Sequence, residues 1–278
     1  MSAGLRTRMA AAAGVAIPMA AVLLFLAGWE AAVRHWAIPA YLLPAPSRIA
    51  STLWAERAGL LPSWWITLRI TLSALGLAVV SGVGLASLFA LSRTAERALS
   101  PFTVVLQVTP VIAVAPLIMI VTDDPPLTVL LCAWIVAFFP VVANTLTGLR
   151  SVDPHLRDLF RLHRASRWQT LRWLLVPGAL PHFFSGLKVA GGLALIGAVV
   201  GEFTAGAAGR DTGLASRILE AMFRTEIPKM FAALSLVLAT GVGLHAALGA
   251  LSRAVLGRWH ASERDGPAGP AGAMGPGR

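Results

Sequence analysis

The stretch PPLTVLLCAWIVAFFPVVANTLTGL, residues 125–149, runs 25 residues without a charge between Asp123-Asp124 and Arg150. A helix crosses the bilayer core with about 20 apolar residues, so this run is long enough to span. Four more uncharged runs flank it, at 9–29, 70–92, 98–122 and 230–252, with 21, 23, 25 and 23 residues. The whole chain of 278 residues is 56% hydrophobic and 13% charged, with mean hydropathy +0.73. A soluble domain carries about a quarter charged residues, and the apolar excess here needs lipid around it. The composition therefore gives an all-α polytopic membrane protein and excludes a soluble enzyme. Run 9–29 is too long for a secretory signal and is followed by Trp29-Glu30 rather than a small-residue cleavage site, so it reads as a retained first span.

A sixth span is expected from about Val189 through Glu202 to Gly206, with Lys188 and Glu202 bracketing it at the interfaces. Six spans place both termini on one side. That side then holds fifteen Lys and Arg and the other eight. The positive-inside rule makes the termini and the 150–188 loop cytoplasmic. Net charge is +10, with only two Lys among 23 basic residues, a balance that suits anionic headgroups and gives no sign of nucleic acid binding. Cys132 is the only cysteine and lies within an apolar run, so neither a disulfide nor a cysteine metal site is expected. No His-Glu-x-x-His or Gly-x-Ser-x-Gly sequence occurs, nor any P-loop, so no cofactor or ATP site is expected on this chain.

The organisation then reads as an N-terminal span (1–33), an outer interfacial connector (34–65), a core of five spans (66–258) and a Gly/Pro-rich disordered tail (259–278). The connector carries Trp54, Trp64 and Trp65, an aromatic belt. Asp123-Asp124-Pro125-Pro126 reads as a tight outer loop.

Within the core, the cytoplasmic segment 150–188 reads RSVDPHLRDLFRLHRASRWQTLRWLLVPGALPHFFSGLK. Asp153-Pro154 is a helix start, an acceptor side chain followed by proline at the first helical position. Arg157, Arg161 and Arg164 then share one face, while Leu156, Leu159 and Phe160 gather on another. Ser166 with Gln169 makes a capping box that opens a second helix, whose apolar face is Trp168, Leu171 and Leu175. Pro177 and Pro181 disrupt or end that helix. Periodicity alone allows two uses for such a pair: lying on anionic lipid, or entering a groove on a partner protein.

The segment resembles the cytoplasmic coupling loop, or EAA loop, of permease subunits of bacterial ATP-binding-cassette importers. The family pattern is Glu-Ala-Ala, three residues, Gly, nine residues, then Ile-x-Leu-Pro. Asp158-Leu159-Phe160 falls on the triplet, Arg164 on the Gly, and Leu174-Leu175-Val176-Pro177 on the terminal element, with both spacings kept. Ala165 to Thr170, Leu43-Pro44-Ala45-Pro46-Ser47, and Phe138-Phe139-Pro140 with Asn144-Thr145 are similar to the nitrate/sulfonate/taurine branch. Departures are Asp158 for Glu, Leu159-Phe160 for two Ala, and Arg164 for the turn Gly, where a non-Gly residue costs on the order of 1 kcal/mol. They put the turn geometry and the shape of the partner groove in question.

The resemblance implies an importer permease for a small solute, either a nitrate-, sulfonate- or taurine-like anion or a pyrimidine precursor. It implies a homodimer of this chain, ABC ATPase subunits, an extracytoplasmic solute-binding protein and an inner-membrane location. The expected coupling residues are Arg157, Asp158, Phe160, Arg161, Ala165, Ser166, Trp168, Gln169 and Pro177, the arginines giving rim charge and Phe160 and Trp168 anchoring in the groove. Polar groups beside prolines in the spans, Gln107, Thr109, Asn144 and Thr145, are the pathway candidates. The alternatives are a secondary transporter, which would favour paired intramembrane charges, or an energy-coupling scaffold that works without a solute-binding protein.

Overall fold

A computed structural model describes residues 3–205 and 212–257, with side chains from residue 16 onward. Among the described residues there is no strand. The helices are α1 (Ala3–His35), α2 (Pro46–Ala55), α3 (Arg57–Leu91), α4 (Arg93–Val108), α5 (Val111–Thr122), α6 (Pro125–Arg150), α7 (Pro154–Leu162), α8 (Arg167–Thr170), α9 (Val176–Ala205), α10 (Leu214–Phe223) and α11 (Ile227–Leu256), with a π-helical turn at Leu171–Leu175. Five helices are long and apolar enough to cross a membrane, and a bent pair, α4 with α5, makes a sixth if counted as one span. The Gly/Pro-rich tail expected over 259–278 lies outside the described residues.

The chain divides into two compact units. The first comprises residues 1–65 and 207–237. Its core gathers Ile49, Leu60, Leu214, Ala232 and Ala233, with Trp29 edge-on to Phe231. The connector is largely helical, since α2 lies within it and α3 begins at Arg57. Glu30 sits at the N-terminus of α2, where it accepts bonds from the Ser47 amide (2.9 Å) and hydroxyl (2.7 Å). A carboxylate there satisfies a free N–H and the helix dipole together. Of the three belt tryptophans, Trp54 and Trp65 are exposed, whereas Trp64 is half-buried against the core of this unit. In α10, Arg217 bonds Glu220 and the Ser63 hydroxyl, and its hydrogen bond, with the nearby Arg224 and Lys229 charges, holds the Glu220 carboxyl below the usual carboxylate range.

The second unit is built on an antiparallel pair, α6 with α9. Small residues set their separation: a Cβ added at Gly186 would lie 2.6 Å from the Asn144 Cβ, at Gly197 2.7 Å from the Ala133 Cα, and at Gly201 2.8 Å from the Val129 Cα. Helices that touch backbone to backbone in this way gain close van der Waals contact, which replaces the hydrophobic drive that lipid removes. Around this pair pack Leu75 and Ala78 of α3 and Leu244 and Leu248 of α11, with Trp134 donating to the Ser81 hydroxyl at 3.0 Å.

Two expectations for the spans are corrected. The run 98–122 is not one straight helix: α4 and α5 meet at 104° around Thr109-Pro110. Pro110 lacks an N–H and pushes Thr109 out of the α region to an extended ψ of 120°, which ends α4. The fifth span is not confined to 189–206, because α9 begins at Val176 and Pro181 lies inside it. Pro177 and Pro181 interrupt without ending the helix; the π turn ahead of Pro177 widens the backbone where a proline ring would press on the Trp173 carbonyl. The turn at 123–126 is as tight as expected. Asp123 closes α5 in the left-handed conformation (φ 49°) and Asp124 caps α6 by accepting from the Leu127 amide at 3.2 Å.

Candidate coupling site

The turn after α6 is set by Asp153, whose carboxylate accepts from the His155 amide at 2.8 Å and starts α7. The end of α7 is equally defined. The Ala165 amide donates to the Phe160 carbonyl (3.0 Å) and the Arg164 amide to the Arg161 carbonyl (2.9 Å), the paired bonds of a Schellman motif. Arg164 takes the left-handed position with φ 52°, so the glycine geometry survives without the glycine. Ala37 and Thr225 end α1 and α10 in the same way, also with positive φ. Arg164→Gly is therefore expected to raise the unfolding free energy of this element by about 1 kcal/mol, read as slower amide exchange at Arg164 and Ala165. Unchanged exchange would show the turn to be unstrained.

Beyond the turn the capping box forms as expected, with the Ser166 amide donating to Gln169 (2.8 Å) and the Gln169 amide donating to the Ser166 hydroxyl (3.2 Å). Neither α7 nor α8 buries a residue fully. Leu162 is 81% exposed and Trp168 65%, and Leu156 and Leu159 are also exposed. Leu171 and Leu175, expected on the same apolar face as Trp168, are instead buried against Leu149, Ala86 and Ala179. The apolar face thus splits: its C-terminal part anchors the element to the bundle, and Trp168 projects free.

The coupling candidates occupy different places. Asp158 and Arg161 pair at 3.2 Å on the exposed side. Phe160 and Ala165 are half-buried, and Pro177 is exposed on the first turn of α9. Arg157 is not the rim charge expected of it. Its guanidinium turns inward and donates to the Leu149 carbonyl at 2.6 Å, in the last turn of α6, where carbonyls lack helical partners. Periodicity put Arg157 with Arg161 and Arg164 on one face, but only Arg157 stands close enough to α6 to reach it.

The pathway candidates do not converge. Gln107 is exposed on α4, and Thr109 bonds back to the Val105 carbonyl at 2.6 Å. The Asn144 amide bonds the Pro140 carbonyl at 2.9 Å. Thr145 is buried, and its hydroxyl has no partner among the described residues; it lies on the wall of a cavity of about 130 Å³ with Ser87 and Phe183. One residue deserved more weight than its sequence position suggested. Glu202 is buried, 3% exposed, and it accepts from the Thr67 hydroxyl at 2.7 Å. An acidic residue in a span is a signal for burial and pairing, but proximity to the span end masked it.

The described residues form a bundle of membrane-length helices that carries an exposed amphipathic helix pair. Residues 75–257 match the binding-protein-dependent transport system inner membrane component family, and the chain belongs to that family. It is 36% identical to the riboflavin transport system permease protein RibX of Chloroflexus aurantiacus over 245 residues, 87% of this chain and 89% of that one. It is 32% identical to the formylaminopyrimidine transport permease protein ThiX of Halalkalibacterium halodurans over 240 residues, 84% and 92% of the two chains. Nitrate and aliphatic sulfonate permeases also match, consistent with the branch that the motifs resemble. The fold is that of a crystallised amino acid ABC transporter, with TM-score 0.54 and 19% identity over 71% of this chain and 92% of that one. The chain is a multi-pass inner-membrane permease subunit of an ABC importer for a small solute, and the alternatives raised from the sequence find no support in these matches.

Proposed function

We propose that segment 154–176 is the dock through which ABC ATPase subunits drive this permease, with both chain termini on the same, cytoplasmic side. The observation that carries the reading is the exposed apolar set Leu156, Leu159, Leu162 and Trp168, held on a capped, sharply terminated helix pair. Exposed apolar patches rimmed by charge mark protein interaction surfaces, and Asp158, Arg161 and Arg164 supply the rim. Ser166 and Gln169 fix the start of the second helix, and Phe160 and Ala165 fix the turn. A second copy of this chain would complete the pathway, and a solute-binding protein would deliver to its outer face. Closure of the ATPase pair would move the dock and switch the bundle between its two openings.

For the solute, the names of the two relatives given above specify riboflavin and formylaminopyrimidine, both built on a pyrimidine ring. A pyrimidine-type heterocycle is accordingly the favoured cargo, and a small anion the second reading. Thr145 is the pathway residue with the firmest basis, since it lines a cavity and its buried hydroxyl has no partner among the described residues.

The test is co-purification in detergent of the tagged chain with a co-expressed ABC ATPase subunit from the same organism. Wild type is expected to retain the ATPase, and Trp168→Glu and Leu159→Glu, both at exposed sites that leave the fold intact, are expected to lose at least about tenfold of it. Retention in both monodisperse variants would sink the docking assignment and leave the helix pair lying on lipid.

A further inference from the structure

A cavity of about 610 Å³ opens where the start of α4, the end of α6 and α7 meet. Its volume lies within the range of small-molecule sites, about 300–1,000 Å³. Arg93, Arg97, Arg150 and Arg157 line it, and Glu96 is the only carboxylate among the lining residues. Glu96 is engaged by Arg150. Arg93 and Arg97, one helical turn apart on α4, have no carboxylate partner among the described residues. Arg157 spends one donor on the Leu149 carbonyl, and its buried Nε has none. The cavity therefore holds an uncompensated charge of three on rigid helix ends. A smaller cavity of about 280 Å³ adjoins it, sharing Arg157 and adding Arg161 and Arg167.

Four arginines around one cavity, with Phe89 and Leu149 adding apolar wall, fit an oxyanion with several acceptor oxygens. Arginine binds phosphate through paired N–H donors, and such charge-assisted bonds are about twice as strong as neutral ones. Like charges this close repel one another unless an anion lies between them. We propose that this cavity is a binding site for a phosphate group, beside the coupling helix and sharing Arg157 with it. The position, at the ends of membrane helices on the positively charged side, gives two sources for that chemistry: the headgroup of an anionic phospholipid or a free phosphate anion. Bound there, the phosphate would tie α4 to α6 and α7, bracing the joint on which the dock stands.

The experiment uses the full-length chain, purified and stripped of lipid. One arm titrates inorganic phosphate calorimetrically; the other reconstitutes the chain in phosphatidylethanolamine nanodiscs with and without phosphatidylglycerol and counts retained lipid by native mass spectrometry. Saturable binding in the first arm assigns a free anion, and selective retention in the second alone assigns the lipid. In either case Arg93→Gln/Arg97→Gln, at exposed positions with no ion pair to lose, is expected to weaken binding roughly tenfold. Glu96→Gln, which removes the competing carboxylate and frees Arg150, is expected to tighten it severalfold. Absence of binding in both arms overturns the site, as does binding to the double variant equal to wild type or a Glu96→Gln variant that binds no better.

Discussion

Gly197→Val is expected to yield little or no monodisperse protein, the largest single-residue effect on the fold. A bare Cβ at that position lies 2.7 Å from the Ala133 Cα and 2.9 Å from the Cys132 carbonyl oxygen, both backbone atoms that cannot rotate away. The helices α6 and α9 would have to separate, and with them the contacts at Gly186 and Gly201 that share the same seam. Overpacking of a tight interior typically costs about 1–3 kcal/mol, and a branched side chain against backbone falls at or beyond the upper end. Gly192→Val is the matched control, because a Cβ there meets nothing within 4 Å. Size-exclusion profiles and thermal unfolding of the two variants in one detergent make the comparison. Equal behaviour would mean that the α6–α9 seam opens freely.

The second large effect is on coupling rather than folding. Arg157→Ala is expected to leave ATPase binding intact while solute uptake falls about tenfold or more. The exposed residues Trp168, Leu159 and Leu162 of the proposed dock are untouched by the change. What is lost is the guanidinium bond to the Leu149 carbonyl, the side-chain tie between α7 and the end of α6. A hydrogen bond to a charged group contributes about 1.5–3 kcal/mol, and in this tie it resists relative movement of the two helices. Arg157→Lys is expected to recover little, since an ammonium lacks the planar fork that reaches the carbonyl. Uptake into proteoliposomes measured beside ATP hydrolysis separates the outcomes. Parallel loss of both activities would show that Arg157 serves the dock itself.

Much of the architecture is written locally. Uncharged runs give the spans, Asp153-Pro154 and Ser166 with Gln169 give helix starts, and Asp123-Asp124-Pro125 gives one helix end and the next helix start. Each rests on a side chain and a backbone group a few residues apart, so the chain alone specifies it. The bend between α4 and α5 is different. Pro101, Pro110 and Pro116 all fall in one apolar run, yet only Pro110 breaks it. Hydropathy reports which residues avoid water and carries no information on where the chain changes direction. The inward turn of Arg157 depends on α6 standing beside it, and the burial of Glu202 on Thr67, 135 residues away in sequence. Arg164 shows the reverse: the missing glycine suggested an altered turn, but the two backbone bonds that close α7 hold an arginine in the left-handed region.

The continuity of α8, the π turn and α9 has a mechanical consequence. From Arg167 to Ala205 the chain runs 39 residues with no loop, a rod of roughly 58 Å at 1.5 Å per residue. Such a rod is a lever with its fulcrum at the packed collar of Leu171 and Leu175. From Leu175 to Ala205 the arm is about 45 Å, so a tilt of only about 5° swings its far end by roughly 4 Å, close to the diameter of a small solute. An ATPase docked at Trp168, as proposed, would need no large stroke to move the far end of this helix. The π turn, set just beside the fulcrum, is where such a lever would flex before it slipped.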